Sequence, residues 1–156
     1  MQIIRDLFGN YILVSAAIAW ALAQFMKVFT NLFGHKKFDI KMMFSNGGMP
    51  SSHSSTVMAL CTACAVQEGF GSPYFAITLI LAMIVMNDAF GVRYEAGKHA
   101  QIINRIAEEL FSGDPDHVYS GLKELVGHTP LQVFVGGLLG VAVALVYGLI
   151  IGEIPV

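Results

Sequence analysis

Long apolar segments alternate with shorter polar segments along most of this chain. The apolar segments cover residues 11–33, 54–70, 74–92 and 130–151 and contain few charged side chains. A helix needs about 20 mostly apolar residues to cross a bilayer. The pattern therefore predicts about four transmembrane helices. The second of them is rich in serine, threonine, alanine and cysteine, small residues that allow close packing in lipid.

The connection between the third and fourth apolar segments has an amphipathic pattern instead. Within residues 100–111, isoleucine and leucine recur at helical spacing opposite charged and amide side chains. This pattern predicts a helix that lies at the membrane surface. A break is expected at residues 112–116, and residues 118–126 are expected to form a second short helix that ends at Gly127.

The composition agrees with a membrane protein. Of the 156 residues, 55% are hydrophobic and only 13% are charged, and the mean hydropathy is +0.64. Soluble domains have a higher charged fraction. We therefore expect an all-α, polytopic membrane helical bundle with one or two interfacial helices, formed by residues 1–156 as one integral membrane domain. A net charge of −2 gives no general attraction to nucleic acid.

The cations predict which side of the membrane each connection faces. Most of them lie in the first and third connections: Lys36, Lys37 and Lys41, then Arg93, Lys98, Arg105 and Lys123. By the positive-inside rule, both connections are expected at the cytoplasmic face. Lys27 lies late in the first apolar segment, and we expect its side chain to extend toward the nearer membrane surface.

Candidate chemistry begins with the run GGMPSSHSS at residues 47–55, just before the second apolar segment. A helix N-terminus offers unpaired N–H groups and a partial positive charge, which favour an anion. Ser51 and Ser52 could bind an oxygen of that anion, and His53 could transfer a proton near neutral pH. Taken alone, the run is more typical of ordinary helix capping.

A second group of polar residues follows the third apolar segment. Arg93 carries a planar set of donors that matches phosphate oxygens, and His99 offers a nitrogen nucleophile. Glu95 precedes His99 by four residues and could orient its ring on a helix. Asp88 lies near the end of an apolar segment, where a carboxylate usually has a polar partner. The simpler alternatives are that Arg93 anchors the topology and that His99 is a surface residue.

These residues together resemble a known superfamily. The P-S-S-H sequence at residues 50–53 is similar to the P-S-G-H motif of the type 2 phosphatidic acid phosphatases and vanadium haloperoxidases, and Arg93 with His99 resembles their S-R-x5-H motif. The sequences GGMPSSHS, DAFGVR and GHTPL are more similar still to the small divergent bacterial and plastid branch. The resemblance covers nearly the whole chain.

The resemblance implies a phosphatase in the bacterial plasma membrane. It implies that His99 attacks phosphorus and that His53 protonates the leaving oxygen. Arg93, Ser51 and the Ser52 amide are implied to hold the remaining oxygens. The implied substrate is a lipid phosphate or diphosphate, bound at the cytoplasmic face without a cofactor or metal ion.

The chain departs from the superfamily pattern at two places that affect the site. It lacks a K-x6-R-P motif, so a lysine of the first connection is expected to bind phosphate, Lys41 by proximity, or Lys37 or Lys36. The aspartate expected four residues after the nucleophile would fall at Ile103, which cannot orient an imidazole. Asp88, Glu95 or Asn104 would have to orient His99 instead.

Two other functions and an oligomer follow from the same residues. A catalytically silent protein that binds phospholipid or assembles with other proteins would keep the pocket without the missing motif residues. A small transporter would explain the intramembrane charges of Asp88 and Lys27. Gly136 and Gly140 have G-x-x-x-G spacing, with Gly137 beside them. That spacing predicts a homodimer or higher oligomer packed through the last helix.

Overall fold

The computed structural model describes residues 1–35, 48–111 and 127–154. Within these residues the regular secondary structure consists of six helices: α1 (Gln2–Gly9), α2 (Tyr11–His35), α3 (Ser52–Glu68), α4 (Pro73–Phe90), α5 (Val92–Phe111) and α6 (Pro130–Ile151). Three segments are long and apolar enough to cross a membrane, namely Tyr11–Thr30, Pro73–Leu110 and Pro130–Ile151. The prediction of an all-α membrane bundle is therefore confirmed.

Helix α3 occupies the centre of the bundle, where it packs against α6, α2 and α4. It has 17 residues, and its buried ones are serine, alanine, valine and cysteine. The predicted second span is therefore a short, enclosed helix rather than a fourth long apolar one. Its hydroxyl groups are satisfied inside the bundle, since Ser55 Oγ donates to the Ala19 carbonyl at 3.1 Å and Thr56 Oγ1 to the Ser52 carbonyl at 2.7 Å.

The glycines of α6 allow α3 to approach closely. A Cβ at Gly136 would collide with the Ser51 carbonyl oxygen, and a Cβ at Gly140 would collide with that of Ser55. The G-x-x-x-G face is therefore filled by α3 of the same chain. The predicted oligomer contact through these glycines is wrong because no second copy can reach them. The oligomeric state itself stays a prediction.

Helix α5 follows α4 almost without interruption. The chain turns at Gly91, and α5 begins at Val92 rather than at the predicted residue 100. Among the described helices, α5 contacts only α4, and its isoleucines at 102, 103 and 106 are exposed, in line with the predicted amphipathic pattern. The predicted helix over residues 118–126 lies outside the described residues.

Helix α1 was not predicted from the sequence. Its four large apolar side chains, Ile3, Ile4, Leu7 and Phe8, are all exposed, and it contacts only α2 among the described helices. Its eight residues are fewer than the window of about 11–18 residues in which helical periodicity is recognised.

Four helix ends meet at one end of the bundle. The end of α2 is joined to the segment before α3 by Thr30 Oγ1, which donates to the Met49 carbonyl. The Ser51 N–H donates to the Gln132 carbonyl at 3.1 Å, and the His128 N–H to the Ala89 carbonyl at 3.1 Å. The starts of α3 and α6 therefore lie beside the ends of α2 and α4, and this end collects polar residues that are distant in sequence.

Candidate anion site

Ser51 caps helix α3 at the centre of this end. Its buried Oγ accepts hydrogen bonds from the Ser54 N–H at 3.3 Å and from Ser54 Oγ at 3.0 Å. This arrangement satisfies one of the N–H groups that a helix start leaves unpaired. Gly48 has a φ of 91°, which favours glycine where the chain turns toward α3. The Ser51 side chain thus orders the helix start, and Ser52 and His53 follow it.

Lys27 brings a buried positive charge to the same helix start. Its side chain is 1% exposed, and its Nζ donates to Ser52 Oγ at 3.3 Å. The expectation that Lys27 extends to the membrane surface is therefore wrong, because the neighbouring helices enclose the side chain. A buried ammonium and the positive end of a helix dipole have the same sign. Their proximity favours an anion between them.

Two histidines face each other at this point. The rings of His53 and His128 have centroids 6.1 Å apart and cross at 61°. His53 is exposed at the end of the bundle, whereas His128 is buried with 2% exposure. Lys27, Arg93 and Asp88 are close enough for their charges to act on His53. The group therefore combines side chains from α2, α3, the α4–α5 junction and the segment before α6.

The hydrogen bonds of His128 determine its tautomer. Gln132 Oε1 accepts from the Thr129 N–H at 3.1 Å, and a backbone N–H can only donate, which identifies this atom as the amide oxygen. His128 Nδ1 lies 3.3 Å from the same oxygen and must therefore be the protonated nitrogen. His128 Nε2, buried and without a hydrogen-bond partner among the described residues, then carries an available lone pair.

Burial also keeps the His128 ring neutral. It lowers the pKa of His128, because the charged form would lose hydration, and the positive charge of Lys27 acts in the same direction. The hydrogen bond to Gln132 opposes this change. The Gly48 backbone acts in the same sense as Gln132. A neutral ring with a free Nε2 is the form that can act as a nucleophile.

The α4–α5 junction adds an arginine. Arg93 Nε donates to Asp88 Oδ2, and both side chains are partly exposed at the rim of the site. The backbone of the junction lies directly against Gly127, where a Cβ would collide with Tyr94 N. This close contact positions His128, the next residue, beside the arginine-bearing helix.

Comparison with known proteins assigns the chain to a family. The model of the Divergent PAP2 family matches residues 8–143. The chain belongs to this family. The divergent PAP2 chain is also similar to a Bacillus subtilis (strain 168) protein named "Uncharacterized membrane protein YuiD". The two sequences are 39% identical over 151 residues, which cover 90% of this chain and 96% of the relative. No solved structure matches this chain.

In this divergent PAP2 protein, the sequence-predicted residues separate into two groups. Ser51, Ser52, His53, Asp88 and Arg93 surround the helix start described above. The other candidates are not brought to it or are not described. Lys37 and Lys41, the predicted phosphate-binding lysines, lie outside the described residues.

Helix α5 carries two further predicted residues, His99 and Glu95. His99 is exposed there and is not among the groups whose charges act on His53. Glu95 was expected to orient His99, but its Oε1 accepts from Lys98 Nζ at 2.9 Å instead. The described contacts therefore give no support to a catalytic Glu95–His99 pair.

Two site residues were missed by sequence reasoning. Lys27 was visible only as a cation within an apolar segment, and the signal was that such residues rarely face lipid. His128 lies in the GHTPL sequence that contributed to the resemblance, and no role was assigned to its imidazole. Its signal was the polar residue four positions later, Gln132.

Proposed function

We propose that this divergent PAP2 protein is a membrane phosphatase that hydrolyses a lipid phosphate or diphosphate through a phosphohistidine at residue 128. The observation that carries the proposal is the buried His128 Nε2, which has no hydrogen-bond partner among the described residues and lies close to Lys27 and to His53 at the start of α3. A neutral nucleophile and a bound positive charge are the two requirements for attack on an anionic phosphate.

In the first step, His128 Nε2 forms a bond to phosphorus as the bond from phosphorus to the lipid oxygen breaks. His53 donates a proton to that leaving oxygen after the negative charge of the bound phosphate has favoured its protonated form. Lys27, Arg93 and the N–H groups at the start of α3 hold the other phosphate oxygens, whose charge rises in the transition state. Asp88 orients Arg93 through their hydrogen bond.

In the second step, water attacks the phosphohistidine. His53, now neutral, accepts a proton from that water as the new oxygen–phosphorus bond forms. The bond from phosphorus to Nε2 breaks, and its electron pair returns to His128. Inorganic phosphate leaves, and both histidines regain their starting protonation states.

Sequence spacing also favours His128 over His99 as the nucleophile. The superfamily pattern implies a polar partner four residues after the nucleophile, and for His99 that position is Ile103. For His128 it is Gln132, whose Oε1 lies 3.3 Å from Nδ1. A hydrogen bond at Nδ1 fixes which nitrogen of a histidine reacts.

The position of the pocket supports a lipid substrate at the cytoplasmic face. It lies at the end of apolar helices, where the phosphate of a lipid would be located in a bilayer. The sequence that follows α2 and the sequence that follows α4 carry the basic residues that the positive-inside rule assigns to the cytoplasm. The Bacillus subtilis relative, which is named a membrane protein, supports a bacterial plasma membrane.

One observation supports the second candidate, a catalytically silent phospholipid-binding protein. Gln132 has no charge, so it orients His128 but does not stabilise a positively charged ring as a carboxylate would. A pocket that binds phosphate and turns it over very slowly would have this arrangement.

The decisive experiment is a phosphate-release assay with the purified protein in nanodiscs. The substrates are lipid monophosphates, lipid diphosphates and a water-soluble aryl phosphate, each with and without vanadate. We expect phosphate release, and we expect vanadate to inhibit it, because trigonal-bipyramidal vanadate resembles the transition state. Saturable binding of a lipid phosphate without phosphate release would favour the silent phospholipid-binding protein over the phosphatase. The absence of both binding and release would reject the anion site.

A further inference from the structure

Helix α1 is amphipathic and lies at the end of the bundle away from the anion site. At about 100° per residue, its large apolar side chains fall within an arc of about 140°. They are Ile3, Ile4, Leu7 and Phe8, and the polar side chains of Gln2, Arg5 and Asp6 fall on the other side. All four apolar side chains are exposed, from 50% at Leu7 to 77% at Phe8. The described residues therefore leave this apolar face open.

We propose that α1 lies in the membrane surface, with its apolar face inserted at the boundary between the lipid headgroups and the acyl chains. The inference concerns the membrane face away from the anion site and does not depend on the proposed function. It commits to lipid as the cover of this face. A second copy of the chain and water are the competing outcomes of the test.

The first argument is the position of α1 in the chain. It ends at Gly9, and the membrane-spanning segment begins at Tyr11. Asn10 between them has an extended backbone and caps α2, since its Oδ1 accepts from the Leu13 N–H at 3.0 Å. Helix α1 is therefore a separate helix, joined by one residue to the point where α2 enters the bilayer.

The second argument is that tyrosines mark the membrane surface at this end. Tyr11 begins α2, Tyr74 lies in the first turn of α4, and Tyr147 lies near the end of α6. The rings of Tyr11 and Tyr147 stack with centroids 5.9 Å apart. Tyrosine is enriched where the bilayer meets water, because its ring is apolar and its hydroxyl is polar. The junction of α1 and α2 is therefore at the level of the interface.

The third argument is the length of α1. Its eight residues span about 12 Å, far less than the hydrocarbon core of about 30 Å, so α1 cannot cross the bilayer. Isolated helices shorter than about 12–15 residues are marginal in water and depend on packing of an apolar face. None of the residues of α1 is buried, and among the described helices it contacts only α2. A membrane surface provides the missing packing.

The location also favours lipid over a second copy of the chain. Just inside the level of the tyrosines the bundle surface is apolar, with Leu13 45% exposed and Ile77 65% exposed. Hydrocarbon surrounds the bundle there, and the headgroup boundary lies directly outside it. That boundary surrounds every protomer, so it covers the face of α1 without a matching surface on another protein.

The test measures the depth of single nitroxide labels on the full chain in nanodiscs. The labels are attached to I4C and F8C on the apolar face and to R5C and D6C on the polar face. Power saturation with oxygen, which concentrates in hydrocarbon, and with a water-soluble nickel chelate gives the depth of each label. We expect the labels at residues 4 and 8 to lie about 5–10 Å inside the membrane surface. The labels at residues 5 and 6 are expected in water.

Two reference positions and one background complete the measurement. W20C in the middle of α2 is the deep reference, and E153C, which is exposed just after α6, is the aqueous reference. The background is C61A with C64A, because these are the native cysteines. Its thermal unfolding midpoint is compared with that of the wild type.

A second measurement keeps both native cysteines. F8W combined with W20F carries a single tryptophan on the apolar face, and D6W combined with W20F is the matched control on the polar face. We expect lipids brominated near the start of the acyl chain to quench F8W strongly and D6W weakly.

Two results would overturn the inference. Labels at residues 4 and 8 that meet the nickel chelate as freely as those at residues 5 and 6 would show that α1 lies in water. Labels screened from both oxygen and the chelate would show that protein, such as a second copy, covers the face. Equal quenching of F8W and D6W would contradict the inserted face independently of the cysteine background.

Discussion

The end of the bundle and the exposed surface of α5 contain similar residues in different surroundings. Each has a histidine, a lysine and an acidic side chain near Arg93. His128 is 2% exposed and packs among several segments, whereas His99 is exposed on a helix that contacts only α4 among the described helices. The difference shows that the chemistry of these side chains depends on enclosure, which spacing within one helix does not determine.

The two lysines make the same contrast in electrostatic terms. Lys27 is almost fully buried beside Ser52. Lys98 has 48% of its side chain exposed, where it pairs with Glu95 and lies 4.4 Å from the centre of the Tyr94 ring. Charges in water are screened by solvent and salt, but buried charges are screened much less. A phosphate therefore gains more from Lys27 than from Lys98.

The largest expected effect separates the two histidines. We expect H128A to reduce phosphate release by at least about a thousandfold, because a nucleophile cannot be replaced by its neighbours. H99A is expected to remain within about twofold of the wild type, in line with a solvated surface residue. The first measurement is kcat with the aryl phosphate. The second traps the acid-labile phosphate on the wild-type protein and locates it by mass spectrometry, with residue 128 as the expected position. Loss of activity in H99A with an active H128A would return the nucleophile to α5.

The next effect separates the two lysines. K27M keeps the length of the side chain but removes its charge. We expect kcat/KM for phosphate substrates to fall about a hundredfold, through a higher KM, a lower kcat or both, because a buried charge contact is lost. K98M is the control and is expected to be near normal. Thermal unfolding of K27M checks its fold, since removal of a buried ammonium need not destabilise a protein. Equal activities of the two variants would show that the buried charge has only a structural role.

The enclosure itself depends on the contact between α3 and α6. At Gly140 a Cβ would collide with the Ser55 carbonyl, whereas at Gly137 it would meet only flexible methionine side chains at 3.4 Å or more. We expect G140A to destabilise the bundle by about 1–3 kcal/mol, as overpacked cores do, and G137A to have little effect. The thermal unfolding midpoint in detergent measures both. Equal unfolding midpoints of the two variants would show that α3 and α6 can move apart at Gly140 without a loss of stability.

The fold was largely predictable because a helix that crosses the bilayer must be apolar over about 20 residues, and the sequence shows such segments directly. Residues 11–33 and 130–151 form long helices close to their predicted bounds. The role of α3 was harder to predict. Its serine and cysteine content indicated close packing, but only tertiary contacts show that α2, α4 and α6 surround it. Gly136 and Gly140 illustrate the same limit, since their spacing does not say whether the partner helix belongs to the same chain.

The site was partly predictable for a related reason. The order of the helices brought Ser52, His53 and Arg93 to one end, as expected from the alternation of membrane spans. Lys27 and His128 were missed because their importance arises from burial, and burial depends on segments far away in sequence. His99 was preferred for its spacing from Arg93, yet that spacing places both on one helix without enclosing His99.

The smallest expected effect is a pH dependence of stability to which the enclosed His128 contributes. The pKa of His128 is lowered in the folded protein by burial, whereas an unfolded histidine has a pKa of about 6.5. As the pH falls through about 6.5, the unfolded chain binds a proton that the folded protein does not, so the unfolded state is favoured. The stability contributed by neutral His128 is therefore present above that pH and lost below it. We expect the unfolding midpoint in detergent to fall between pH 7.5 and 5.5, more steeply in wild type than in H128N, while H99N follows wild type. A steeper fall in H128N, or the same slope in all three proteins, would mean that His128 is not enclosed in the membrane-bound protein.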